Sequence, residues 1–191
     1  MMRKGFLLLP VLCCLAVMPA KAREIAGIRL PERVHLPNHD APLVLNGAGV
    51  LSQFFQDIYI GALYLRQRDK KVSSIISKAE PKCIVMHVLR DRLEADTLHN
   101  SMLNNLEDNL SVDEQEDIAA EAERVKHFLR DVKKGDVIRI DFLPQVGTRL
   151  WINDSLQGEI AGETFYQAML KIWLGDDPAD WGLKLALLGK K

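Results

Sequence analysis

The hydrophobic pattern of this chain changes period at Gly135, and that change decides what it can fold into. Upstream, Leu98, Met102, Leu106 and Leu110 recur every four residues with Leu103 beside them. Ile118, Ala122, Val125, Phe128, Leu129 and Val132 continue the helical spacing. Such recurrence puts the side chains on one stripe of a helix facing a core. Downstream, Ile138, Ile140 and Phe142 alternate with Arg139 and Asp141, the period of a strand. A chain that switches once between these periods, with further strands before and helices after, is α+β.

The other elements follow from local chemistry. Pro31, Pro37 and Pro42 exclude a helix from residues 23 to 48, where Val34–Leu36 and Leu43–Leu45 read as short strands joined by PNHDAP. Residues 49–65 predict one long or bent strand, with Gly61 marking a bulge or a close approach. A short helix over Val72–Lys78 precedes an apolar strand, Cys83–Leu89. The first long helix starts at Glu94. Ser111 and Glu114 form a capping-box pattern for a second, which the spacing carries through Val132 to Lys133-Lys134-Gly135. After Gly135, PQVG at 144–147 and Asn153-Asp154 are hairpin connections, so three antiparallel strands form a meander. A helix over Glu163–Leu174 ends at Gly175, Pro178 starts another, and its apolar end with Leu183, Leu185, Leu187 and Leu188 before Gly189 is expected to dock on the sheet.

The first 22 residues read as an export signal and not as fold. Arg3 and Lys4 precede the apolar run Phe6–Met18, and Ala20-Lys21-Ala22 supplies a cleavage site. The run is too short to span a bilayer, so no stable membrane insertion is expected after cleavage. The expected mature domain is a single one, 23–191. Cys13 and Cys14 leave with the signal, and Cys83 alone cannot form an internal disulfide. With 25 Lys+Arg against 26 Asp+Glu, the net charge of -1 gives no field to attract nucleic acid.

Sites of known chemistry are missing from the pattern. The sequence holds no G-x-S-x-G, P-loop, G-x-G-x-x-G or H-E-x-x-H. His35 and His39 lack a third ligand at a suitable spacing, so no metal and no cofactor are expected. His99 and His127 read as surface or boundary residues of helices, whereas His87 lies inside an apolar strand near Arg90.

A set of ordered motifs carries a resemblance: LNGAGV (45–50), FFQDIYIGALYL (54–65), VMHVLRD (85–91), DVIRIDFLPQVGTRLWIN (136–153) and FYQAMLKIWLGDDP (165–178). Together they resemble the bacterial branch of the chalcone isomerase-like family, over roughly Ile25 to Gly189. The resemblance implies an open-faced β-sandwich, a large antiparallel sheet backed by helices, with an apolar cleft between the layers. It also implies one of two activities, cyclisation of chalcones or binding of a fatty acid whose carboxylate meets an Arg. Cyclisation needs a cation and hydroxyl donors to stabilise the developing enolate.

Those polar positions are apolar in this chain. Where the family has its Arg after GAGV, this sequence has Leu51; its two Thr positions match Ile58 and Ile172, the latter beside Trp173. Arg90, Arg66 or His87 remain as sources of a replacement charge, and Tyr59, Tyr64 and Trp173 as cleft walls. The resulting expectation is an exported, periplasmic protein without chalcone isomerase activity that binds a small apolar or amphipathic ligand. Its rivals are an intramolecular lyase and a structural or partner protein with a filled cleft. A continuous apolar pocket of about 300 Å³ or more between sheet and helices would distinguish a carrier from a filled core.

Overall fold

A computed structural model describes residues 23–37 and 39–190; the expected signal peptide, 1–22, lies outside them. The chain runs β1 (Arg23–Ile25), β2 (Ile28–Leu30), β3 (Arg33–Val34), β4 (Leu43–Gln53), β5 (Gln56–Leu65), α1 (Val72–Ser77) and β6 (Lys82–Val88). It continues with α2 (Ala95–Asn109), α3 (Val112–Val125), β7 (Val137–Leu143), β8 (Gly147–Ile152), β9 (Ser155–Ile160), α4 (Thr164–Leu174) and α5 (Trp181–Leu187). β1 and β2 pair with each other, and β3 to β9 form a seven-stranded antiparallel sheet in sequence order. Helices back one face, which gives the α+β architecture that the change of period requires.

Strand alternation sorts the side chains onto two faces. On β5, Tyr59, Leu63 and Leu65 join the helices in one core, while Ile60, Ala62 and Tyr64 join Leu30, Leu36 and Leu43 of the N-terminal segment in another. β6 repeats the division, with Ile84, Met86 and Val88 toward the helices and Cys83 and Val85 away. Helices cover one face and the N-terminal segment covers part of the other, leaving Arg139, Arg149 and Trp151 of β7 and β8 partly exposed, and each fully buried Leu or Ile contributes about 1.5–3 kcal/mol.

Residues 49–65 are not one strand. The chain reverses after Gln53, which pairs with Gln56, leaving a two-residue turn of Phe54 and Phe55 with φ of 50° and 63°. Two-residue hairpins need this left-handed geometry to match strand twist, and Asn-Gly usually supplies it. Two phenylalanines there cost about 1–3 kcal/mol each, and no sequence rule for turns flags them.

The second long helix is also shorter than its spacing suggests. The capping box is present, with Ser111 Oγ accepting from Glu114 N–H and Glu114 Oε2 accepting from Ser111 N–H. α3 nevertheless stops at Val125, because Phe128 drops onto Gly158 of β9 and Val132 exchanges backbone hydrogen bonds with Leu93 at 2.8 and 2.9 Å. A helix through Val132 would forfeit both contacts. Helical spacing and the real packing coincide here without a helix. His99 is likewise not at the surface: it is buried, with Nε2 3.1 Å from the Ala122 carbonyl, and it ties α2 to α3.

The docking of the last segment is direct. A Cβ on Gly47 would lie 2.0 Å from the Ala186 carbonyl oxygen, and one on Gly49 2.6 Å from Ala186 Cβ, so α5 rests on a floor of glycines. Gly61, paired with Gly49, extends that floor beneath Leu183. It marks a close approach, while the irregularities of the hairpin lie at Leu45/Gly47 and Leu51/Ser52. Asn46 reinforces the contact by donating to the Leu187 carbonyl at 2.8 Å. Gly47→Ala is expected to cost at least about 2 kcal/mol, measured by denaturant unfolding, because backbone must move to admit the methyl.

Lys82 is buried below α1 and donates to the carbonyls of Ile75 and Lys78 at 2.7 and 2.6 Å. Burial pulls its ammonium down from 10.5 to about 8. Between these values the unfolded chain holds a proton that the folded chain has released. Stability from this position thus rises with pH across that window and is lost below it. Relative to Lys82→Met, the wild type should gain about 1–3 kcal/mol between pH 7 and pH 10.5 in unfolding measurements.

Candidate functional site

Between the sheet and the helices lies an apolar cavity of about 140 Å³. Its floor is the helix-facing set of strand residues, including Leu51 of β4, Ile58 and Tyr59 of β5, Met86 of β6, and Ile138 and Ile140 of β7. α4 contributes Met169, Ile172 and Trp173 to the roof. α2 forms the remaining wall with Leu98 and Met102, flanked by Thr97, Ser101 and Asn105.

Local chemistry fixes each wall. α2 has no cap of its own, and the Asp131 carboxylate serves instead, accepting from the Ala95 N–H at 3.0 Å and from Arg92 at 2.9 Å. With the Leu93–Val132 bridge, this holds the start of α2 to the segment that follows α3. At the other end Asn109 donates to the Asp177 carbonyl and accepts from the Asp177 N–H, joining α2 to the turn after α4.

The interior has one polar pair. Trp173 Nε1 donates to the Tyr59 hydroxyl at 2.9 Å, and both residues are buried. Burial holds the Tyr59 phenol protonated far above its ordinary value; the Trp173 hydrogen bond opposes this only in part. The hydroxyl's own proton finds no acceptor among the described residues. Tyr59 is thus a neutral donor beside the cavity and is unsuited to act as a base.

Charge is confined to the rim. Among the described residues Arg90 is the one charged residue lining the cavity. Its backbone N–H donates to the Ile58 carbonyl at 3.2 Å, which holds it beside the start of β5, and the residue is exposed. Neighbouring Arg92 is paired with Glu94 and Asp131, whereas Arg90 forms no ion pair among the described residues.

The structure therefore brings together Leu51, Ile58, Tyr59, Arg90, Ile172 and Trp173. Tyr64 and His87 do not reach the cavity, because alternation turns both to the opposite face. Tyr64 donates to the Pro31 carbonyl at 3.1 Å. His87 sits between Ile60 and Val137, where burial lowers its basicity and removes it as a source of charge at neutral pH. Arg66 lies beyond Leu65, at the opposite end of β5 from the cavity mouth. Thr97, Ser101 and Asn105 also line the cavity, and no motif in the sequence marks them. Their signal is spacing, since each stands one residue before a member of the Leu98, Met102, Leu106 stripe.

Residues 22–189 match the family model described as chalcone isomerase-like. The chain belongs to the chalcone isomerase-like family. A crystal structure of an Arabidopsis thaliana fatty-acid binding protein shares the fold, with 14% identity, a TM-score of 0.64, and coverage of 85% of this chain and 92% of that one. No curated protein sequence matches the chain. Within the family's fold, Leu51, Ile58 and Ile172, where the resemblance implies Arg, Thr and Thr, all border one cavity. That cavity has no cation or hydroxyl at those three places. Among the described residues no cluster of His, Cys, Asp and Glu is suited to a metal, and no helix is long and apolar enough to cross a membrane.

Tyr59→Phe would leave the buried Trp173 N–H unpaired, at a cost of about 1–3 kcal/mol. In denaturant titrations, Tyr59→Phe with Trp173→Phe should destabilise by less than the sum of the single changes, since removing both partners leaves no orphaned donor.

Proposed function

We propose that this chalcone isomerase-like protein is a non-enzymatic binder of a small amphipathic molecule, with its apolar part in the cavity and an anionic head at Arg90. The observation that carries this reading is the polarity of the cavity: its floor and roof are apolar apart from the neutral Tyr59–Trp173 pair, Thr97, Ser101 and Asn105 flank one wall, and the cation at its rim, Arg90, forms no ion pair among the described residues. An enolate forming inside would meet no cation, and Tyr59 is a weak substitute for one. The fatty-acid binding named for the Arabidopsis protein supports an acyl ligand class.

Size narrows the ligand. The cavity, about 140 Å³, is less than half of the roughly 300 Å³ that would mark a carrier, so volume alone favours the rival with a filled cleft, and the binding reading rests on the lining and the rim cation. The cavity is close to those of about 150 Å³ that take benzene, so it admits a ring or the end of an acyl chain as it stands. Longer chains require the pocket to deepen. Met86, Met102 and Met169, flexible and unbranched, are the side chains that can repack to allow it. The signal-like N-terminus supports export and a periplasmic setting for this role.

Calorimetry with octanoate and with octanol on protein from an exporting host tests the reading. Arg90→Ala should weaken octanoate by about tenfold, the worth of one charged hydrogen bond, and leave octanol unchanged. No binding of octanoate by the wild type, or an equal loss for both ligands, rejects it. Acceleration of chalcone cyclisation above the buffer rate would overturn the non-enzymatic part.

A further inference from the structure

The β4–β5 turn exposes two large apolar side chains in a backbone conformation that disfavours them. Phe54 and Phe55 are 95% and 108% exposed, so neither folds back onto the sheet. Their left-handed φ values strain the turn, which the β4–β5 ladder holds in place, and the two exposed rings gain no burial among the described residues in return. The same turn stands at the mouth of the cavity. Gln53, immediately before it, and Ile58, three residues after it, both line the pocket, and Ile58 anchors the backbone of Arg90.

We propose that the Phe54–Phe55 tip is a wedge that docks on a phospholipid bilayer and sets the mouth of the cavity against the lipid. This goes beyond the ligand reading and stands without it. Area argues for a bilayer over a protein partner. Two Phe side chains offer on the order of 300–500 Å², below the roughly 800 Å² per partner of a stable interface. A bilayer has no such threshold, because each aromatic ring gains by partitioning separately. The shape of the tip agrees, since its flanks are polar: Gln53, Gln56, and Ser52, whose hydroxyl donates to Asp57 at 2.7 Å. Around the mouth Arg90 and Arg92 are offset by Asp57 and Asp91, so docking should not need anionic lipid. It should be weak and reversible, as for a short apolar anchor.

Flotation with phosphatidylcholine vesicles, comparing the wild type with Phe54→Asn/Phe55→Gly, tests the proposal. Asn-Gly suits the turn, so the variant should fold, with a higher Tm and unchanged octanoate affinity. Its vesicle partition should fall by at least about tenfold, and wild-type partition should persist at high salt. Both proteins carry the same N-terminus, so the difference reports the tip alone. In Phe55→Trp, brominated lipid should quench tryptophan emission beyond the wild-type level. Equal partition of wild type and variant, absence of wild-type binding, or a lipid-free dimer that depends on the two Phe each overturns the proposal. Loss of octanoate binding with vesicle docking intact would reject the ligand reading and leave the wedge standing.

Discussion

The backbone of α5 lies against the backbone of β4, and that contact sets how closely helix and sheet approach at this end of the fold. Gly47 and Gly49 make it possible, because a single methyl at either would collide with Ala186. Elsewhere the layers are held apart by whole side chains, among them Met86 and Ile140 from the sheet and Met169 and Trp173 from α4. Close contact on the glycine floor and side-chain spacing beyond it leave a gap between the layers, and that gap is the cavity. The Leu93–Val132 bridge and the Asn109 contacts with Asp177 hold α2 across its open side.

The chemistry of the cavity is shaped by where charge is placed. Ion pairs such as Arg92–Asp131 and Lys171–Glu114 lie outside it. Buried Lys82 is satisfied by two carbonyls below α1. Inside the cavity the Tyr59 and Trp173 pair is neutral, and Arg90 keeps its charge at the rim, where solvation makes this inexpensive. An interior of this kind suits an apolar group. Only the rim is equipped to receive an anion.

Much of the site was legible in the sequence because strand alternation and family motifs fix registers. Leu51, Ile58, Ile172 and Trp173 sit in recognisable runs, and their runs meet in space. Tyr64 misled because its distance along the chain from Tyr59 is odd; with a period of two, odd spacing means opposite faces. His87 misled in the same way, one residue away from Met86. His99 sits at the edge of the apolar stripe of α2, and only the packing of α3 against that edge buries it.

The sequence by itself determined the element types, the capping of α3, the β7–β9 meander and the apolar character of the cavity. These depend on residue chemistry and on spacings of a few residues, which are present in any chain conformation. Only the tertiary structure decided where α3 stops, that Phe54 and Phe55 form a strained turn, and that Arg90 rather than Arg66 or His87 reaches the cavity. Two of those outcomes are set by contacts between residues distant in sequence, Phe128 on Gly158 and Arg90 held by Ile58, and the third by the whole β4–β5 register, which runs from Val44 opposite Leu65 to Gln53 opposite Gln56. Local preference opposes or ignores such contacts, and the free energy of packing overrides it.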